Sequence, residues 1–347
     1  MASHPDGLVY HHPTWLEALE REYGRKTIGL VCEAPEGELR GVLPLAYTRG
    51  LPFGGALTGR RLSSLPRTPV AGPLARDRDA ASSLVRSAIE RVRREPGTSL
   101  QLKAQGAELD GLADGLAGVP WRSSYVVELP DDPSELRFGK SRNHAEIRRA
   151  IQKAARAGVE VRPAETEQEL VAWYGLYLGT MRRHSVPPRP YRFFEALWEL
   201  LRPQGLMRLL LAFGRDDRRT TMLAGSVLLM FGRTVFYGFN GSRPESFPLR
   251  PNDAIHWRAT HDACAEGFRR YDLGEVPLGN EGLAQSKRKW AGRAVRLRRY
   301  YYPAPANLNG TEDHGLDGYA GKLISTAWQQ VPLSLTARFG DWFYDRL

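Results

Sequence analysis

Cysteine is scarce in this sequence. Only Cys32 and Cys264 occur among 347 residues, which excludes a disulfide-stapled scaffold and predicts a reducing compartment. Long apolar runs are missing as well. No stretch approaches the ~18 apolar residues of a membrane-spanning helix, and the opening MASHPDGLVYHHP lacks the apolar core of a secretory signal. Familiar catalytic signatures are also absent: no G-x-S-x-G elbow, no G-x-G-x-x-G behind a strand, no P-loop, no paired carboxylates in a recognisable setting. His256, His261 and Cys264 share one segment. On a helix, however, i and i+5 diverge by ~140°, and no second ligand pair stands elsewhere, so a metal site is not expected. Most hydrolase and oxidoreductase readings lose their support here, and a cytoplasmic protein is predicted.

What is present is an ordinary globular composition, 42% hydrophobic and 25% charged. The length suits two domains and ample core without staples. Lys and Arg number 49 against 39 Asp and Glu, a net charge of +10 with a pI near 9.7. Such a balance is compatible with nucleic acid, an anionic membrane or phosphorylated small molecules. Its distribution says more than its total, because the charge is clustered.

Two stretches read as halves of a distant repeat. The first runs Gly29–Glu38 and Arg40–Tyr47. The second runs Leu209–Phe213, a polar turn over 214–219, then Leu223–Met230. Each is strand, hairpin turn, strand, and each follows a helical pattern, Trp15–Leu19 or Tyr191–Leu201. Further elements are predicted as helices near 79–94, 167–184 and 252–267 and strands at 99–103, 124–129, 234–240 and 270–274. Pro130-Asp-Asp-Pro133 is the clearest break in the chain. The expected organisation is 1–135, a basic connecting helix over 136–158, a second domain over 159–304, and an amphipathic helical tail over 305–347. Mixed strands and helices in both halves argue an α/β (α+β) fold.

The basic segments are the chemical candidates. Arg137, Lys140, Arg142, Arg148, Arg149, Lys153 and Arg156 crowd one helix, with Ser141 as its expected N-cap and Gly158 just beyond its end. Like charges at helical spacing repel, so several phosphates would explain them, although a solvated arginine face is the commoner cause. A second cluster, Lys287, Arg288, Lys289, Arg293, Arg296, Arg298 and Arg299, contains no acid. It can cradle an anion or simply protect a strand edge with charge. Arg250-Pro-Asn-Asp253 opens a helix, where Asp253 is the expected cap and Arg250 with Asn252 can face an anion.

In this order the pieces resemble the FemABX-type branch of the GNAT acyltransferase superfamily. The resemblance runs from about Pro13 to Pro303. It rests on the arginine-rich segment Arg142–Val159, on Leu249–Asp253 with the helix behind it, on Gly267–Gly274 with its Tyr-Asp-Leu-Gly, and on Ser286-Lys287-Arg288-Lys289-Trp290-Ala-Gly292. The last stands where the family carries Phe-Lys…Phe-Gly, with Ser286 in place of the phenylalanine. The resemblance implies two GNAT-like domains in tandem, each a mixed, mostly antiparallel sheet flanked by helices. It also implies amide-bond formation, with an aminoacyl group moved from charged tRNA onto an amine of a cell-envelope precursor or small biosynthetic acceptor. Lys287 is the implied catalytic cation. Asp272 either orients the amine or closes a structural hydrogen bond. Arg142, Arg148, Arg149, Arg250 and Asn252 fall on the donor side, and Tyr237, Asn240 and Trp290 on the acceptor side.

No bound cofactor is expected. The co-substrate is aminoacyl-tRNA, with acyl-CoA as the alternative. The Gln/Arg-x-x-Gly-x-Gly/Ala loop of CoA users is absent both at Arg67–Gly72 and over 241–253. A non-catalytic binder of RNA or of anionic envelope components is the reading of another class. The tail over 319–347 pairs apolar residues with Lys322, Arg338 and Arg346, as a helix docked on its own core or lying on a membrane surface would. A monomer is expected.

Overall fold

The computed structural model describes residues 4, 6–49, 60–216, 219–304, 330–333 and 335–338. The predicted tail helix therefore falls almost wholly outside the described residues. In chain order the elements are α1 (Pro13–Tyr23), β1 (Thr27–Glu33), β2 (Leu39–Arg49), β3 (Arg60–Ser63), β4 (Leu74–Ala75), α2 (Arg78–Arg93), β5 (Thr98–Gln105) and β6 (Ala117–Glu128). They continue with α3 (Ser141–Arg156), β7 (Glu160–Pro163), α4 (Glu167–Arg183), α5 (Tyr191–Ala196), β8 (Met207–Asp216), β9 (Arg219–Phe231) and β10 (Thr234–Ser242). Helix α6 (Pro251–Ala265), β11 (Arg270–Val276), α7 (Glu281–Lys289) and β12 (Arg293–Tyr302) complete the series.

Local signals set many of these boundaries. Thr166 and Glu169 form a capping box that starts α4, the reciprocal pairing such a sequence favours. Asp77 caps α2 by accepting from the Ala80 backbone. Helix α3 departs from expectation at its start. Lys140 holds the N-cap position without a side-chain bond, and Ser141 is the first helical residue. Its anchoring comes instead from burial of Ile147, Ala150 and Ala154, while His144 Nδ1 accepts from the Phe138 amide at 3.4 Å. Asp253 does not cap α6 either. Arg250, at φ 62°, occupies the N-cap ahead of Pro251, whose fixed φ suits the first helical turn.

The repeat has a clear structural form. In the first half β1, β2 and β3 run antiparallel, and α2 then leads to β5, which pairs parallel with β3. In the second half β8, β9 and β10 run antiparallel, and α6 leads to β11, which pairs parallel with β10. The two halves then exchange their last strands. β6 follows β5 in sequence but pairs with β11 and β12, whereas β12 follows β11 but lies between β5 and β6. The result is one mixed, mostly antiparallel sheet in the order β1-β2-β3-β5-β12-β6-β11-β10-β9-β8-β7.

Burial follows from that sheet. In β8, Leu209 and Leu211 pack toward α1, α4 and α5, while Leu210 and Ala212 pack toward α3 and α6. A strand buried on both faces reads as a continuous apolar run. In the first half, Leu43, Leu45, Leu62, Leu100 and Leu102 form a third core with α2. Between the halves, Arg189 and Glu22 make a buried ion pair at 2.5 Å.

Candidate active site

The parallel pairing of β10 with β11 covers only Thr234–Phe236 and Arg270–Asp272. Beyond it β11 pairs with β6 alone, with a bulge between Asp272 and Glu275. Gly274 sits in that bulge at φ 83°, a backbone state that glycine adopts without a Cβ penalty. The bulge turns the Gly274 and Glu275 carbonyls toward α7, and Lys287 Nζ donates to both at 2.9 Å. A Cβ on Gly274 would stand 3.8 Å from that amine and 3.7 Å from the Tyr237 carbonyl of β10. Lys287 thus sits where the two strands part.

Helix α7 has no counterpart among the helices the sequence predicts. Asn280 Oδ1 accepts from the Leu283 amide and starts it, and its brevity hides any periodicity. Burial draws the Lys287 amine from 10.5 down to about 8, against the opposing charges of Asp272 and Glu275. The group is therefore a cation at neutral pH and close to titrating. An ammonium has three N–H donors. Two serve the carbonyls, which leaves the third for a substrate oxygen.

Asp272 lies beneath this point. It accepts from Ser124 Oγ of β6 at 2.6 Å and from the Gly274 amide at 2.7 Å. Burial raises its carboxyl above the usual range, with those two donors and Lys287 pulling it back. These partners give it a structural task, holding the bulge.

On the α6 side, His256 Nδ1 faces the Tyr271 hydroxyl at 2.9 Å. Its ring lies 4.4 Å from Tyr237 and 5.1 Å from Trp290 between centroids. Burial first, then the charge of Lys287, depresses this imidazole to about 3, so it stays neutral. Tyr237 is pushed up to about 12 by burial. Asn240 Nδ2 donates to Ser226 Oγ at 3.1 Å and to Asn252 Oδ1 at 3.2 Å. Trp290 is buried against Phe138, at 4.9 Å between rings, and shapes the wall from behind.

The structure divides the expected donor residues into two groups. Arg142 and Arg149 are exposed on α3, and the Arg148 guanidinium lies 5.5 Å over Trp257. With Arg137, His144 and His261 it lines an open cavity of about 620 Å³. Glu146 of α3 pairs with Lys289 of α7 at 2.6 Å. The second group lies at the start of α6, where Arg250 is exposed and 4.0 Å from Asp253, and Asn252 meets Asn240. A separate cavity of about 350 Å³ opens beside Asn240 and Phe239, walled by Arg67, His184 and Arg189. Ser124, Glu275 and His256 complete the surroundings of Lys287. Sequence reading missed the first two because only strand pairing brings them there.

Residues 141–284 match the acetyltransferase (GNAT) domain family. Over most of its length the chain also superposes on the crystal structure of FemX, with a TM-score of 0.65 at 16% identity, covering 87% of this chain and 93% of that one. The chain thus carries a GNAT domain over residues 141–284 within a fold similar to that of FemX. Among curated sequences the chain is similar to the UDP-N-acetylmuramoylpentapeptide-lysine N(6)-alanyltransferase of Weissella viridescens. The two are 24% identical over 155 residues. That match spans 44% of this chain and 42% of the relative's length. The fold is also similar to L-PGS from Bacillus licheniformis, at a TM-score of 0.55 and 12% identity, over 95% of this chain and 99% of that one. No helix among the described residues is long and apolar enough to cross a membrane.

Proposed function

We propose that this GNAT protein is an N-acyltransferase that forms an amide bond, moving an aminoacyl group from charged tRNA to an amine of a cell-envelope precursor or small biosynthetic acceptor. The carrying observation is Lys287 Nζ, held by the Gly274 and Glu275 carbonyls where β10 and β11 part. The activity for which the Weissella viridescens relative is named, alanyl transfer to a lysine amine of a muramoylpentapeptide, supports the acceptor class. The arginine face of α3 supports a polyanionic donor.

In this reading the neutral acceptor amine attacks the ester carbonyl carbon. The C–N bond forms, negative charge gathers on the carbonyl oxygen, and the bond to the ribose oxygen breaks. The proton lost by the amine ends on that leaving oxygen. Lys287 donates its remaining N–H to the developing oxyanion, a preorganised cation of the kind that lowers such barriers most. Holding the two substrates together supplies ~7–11 kcal/mol more. Asp272 keeps the bulge in place beneath the lysine through Ser124 and Gly274.

The test offers candidate amine acceptors with either a labelled charged-tRNA pool or acetyl-CoA and follows which donor is consumed. Label from tRNA appearing as amide in the acceptor is the expected result. Consumption of acetyl-CoA alone overturns the donor assignment. RNA binding without turnover on any acceptor turns the protein into a binder. Contact of the tail with the inner membrane face belongs to the same proposal. Liposome flotation of the full chain, compared with the chain cut after Pro305, measures it.

A further inference from the structure

The cavity of about 620 Å³ beside α3 and α6 takes no part in the transfer step as derived above. Its lining comes from three places. Trp257 and His261 belong to α6, His144 and Arg148 to α3, and Leu136 and Arg137 to the connection between β6 and α3. Residues four apart on a helix share one face. His144 with Arg148, and Trp257 with His261, therefore turn toward each other where the two helices pack.

The floor of the cavity is aromatic. Trp257 is half-buried, its ring 6.0 Å from His261 and 6.1 Å from the fully buried Phe138. His144 stacks on Phe138 at 6.1 Å and 23°. Burial, then the charges of Arg137 and Arg148, lower the His144 imidazole, so it offers a flat, neutral ring at pH 7. Phe138 meets Trp290 at 4.9 Å, and Trp290 meets His256 at 5.1 Å. Two packed rings thus lie between this cavity and the surroundings of Lys287.

The rim is cationic. Arg137 and Arg148 are both exposed, and neither forms an ion pair among the described residues. The Arg148 guanidinium lies 5.5 Å over Trp257, against 4.0 Å for Arg299 over Trp121, so it rests loosely on the indole and is able to swing onto a ligand. Asp132 also lines the cavity, but its carboxylate caps the short turn Pro133–Glu135 by accepting from the Ser134 amide at 2.8 Å. An aromatic floor edged by two unpaired guanidinium groups matches the two sides of a nucleotide, a π-face and an anionic phosphate. A phosphate or carboxylate alone engages the arginines and leaves Trp257, His144 and His261 without a partner. Bases stack on aromatic side chains with little regard to sequence, and single-stranded RNA is where unpaired bases are offered.

We infer that this cavity binds one unpaired nucleotide of an RNA chain, its base against Trp257, His144 and His261 and its phosphate between Arg137 and Arg148. Phe138 and Trp290 hold such a nucleotide at a fixed spacing from Lys287, so its seating sets how far the rest of the chain reaches toward the lysine. The role of that chain as donor rests on the transfer reading above; the nucleotide site stands without it.

The probe is a fluorescently labelled single-stranded RNA tetranucleotide, titrated into the full chain and followed by anisotropy. An abasic tetranucleotide with the same phosphates, an RNA duplex and adenosine monophosphate are the comparisons. The RNA binds at least fivefold more tightly than the abasic chain, the least that one stacked base supplies. Trp257→Leu abolishes that preference and Trp257→Phe restores it, while Arg137→Gln and Arg148→Gln weaken RNA and abasic chain by the same factor. The comparison on the unmodified protein holds whether or not Trp257→Leu folds. Equal affinity for RNA and abasic chain, a preference that survives in folded Trp257→Leu, or a duplex bound as tightly as the single strand each overturns the assignment. Adenosine monophosphate bound more tightly than the tetranucleotide also overturns it, by making this a free-nucleotide site. Base-dependent RNA binding without transfer from any donor keeps the site and removes the aminoacyl reading; transfer from charged tRNA without base-dependent binding does the reverse.

Discussion

Replacing Lys287 by methionine separates what this residue costs the fold from what it contributes to the reaction. Burial lowers its amine from 10.5 to about 8, which corresponds to ~3 kcal/mol of destabilisation of the cation in the folded state. The folded pKa lies below the unfolded one. The penalty is therefore fully present below pH 8 and disappears as pH rises toward 10.5, and the protein gains stability across that window. Methionine removes the penalty but leaves the Gly274 and Glu275 carbonyls without their donor, at ~1 kcal/mol each. The variant is therefore expected to be more stable at pH 7 by ~1 kcal/mol and less stable near pH 10.5 by roughly 2 kcal/mol. Urea unfolding followed by tryptophan fluorescence at pH 7, 8.5 and 10 reads this crossover. In the transfer assay the same substitution costs about 10²–10³ in kcat, the range for loss of one oxyanion donor. A stability difference that stays constant across the pH series refutes the burial argument, and turnover within tenfold of the unmodified protein removes Lys287 from the chemistry.

Three further outcomes follow from other parts of the molecule. Glu22→Ala strands Arg189 in the interior and lowers the unfolding free energy by ~3–5 kcal/mol; a change under 1 kcal/mol by chemical denaturation contradicts the burial of this pair. Gly241→Ala drives a methyl to 2.5 Å from the Tyr177 backbone nitrogen of α4, so ~1–3 kcal/mol of stability is lost as helix and strand separate, and an unshifted thermal midpoint argues against that close approach. Binding of charged tRNA weakens steeply with salt, and alanine at Arg142, Arg148 or Arg149 reduces the slope of log K against log salt by about 1 each. A flat salt response in a filter-binding assay removes RNA as the donor.

Parts of this architecture can be read directly along the chain. The two hairpins, their preceding helices and the α3 segment are visible because strand and helix periodicities are local properties of sequence. Lys287 was singled out by its motif. Its holder was not legible, because the carbonyls of Gly274 and Glu275 turn toward it only through a bulge defined by pairing with β6. The misassigned caps at Ser141 and Asp253 have a related cause: both helix starts are fixed by tertiary packing or by Pro251, which outweigh a single side-chain cap.

The scarcity of cysteine and the paired hairpin pattern, with an excess of positive charge in two clusters, are thus determined by the sequence itself, since composition and short-range periodicity need no partner strand. The alternation in β5 that isolates Lys103 among leucines is written there too. Only the tertiary structure decided what those charges face. Exchange of β6 and β12 between the halves brings Arg299 beside Lys103 and Glu275 within reach of Arg122. Residues nearly two hundred positions apart become neighbours through backbone hydrogen bonding, and no local pattern encodes that pairing.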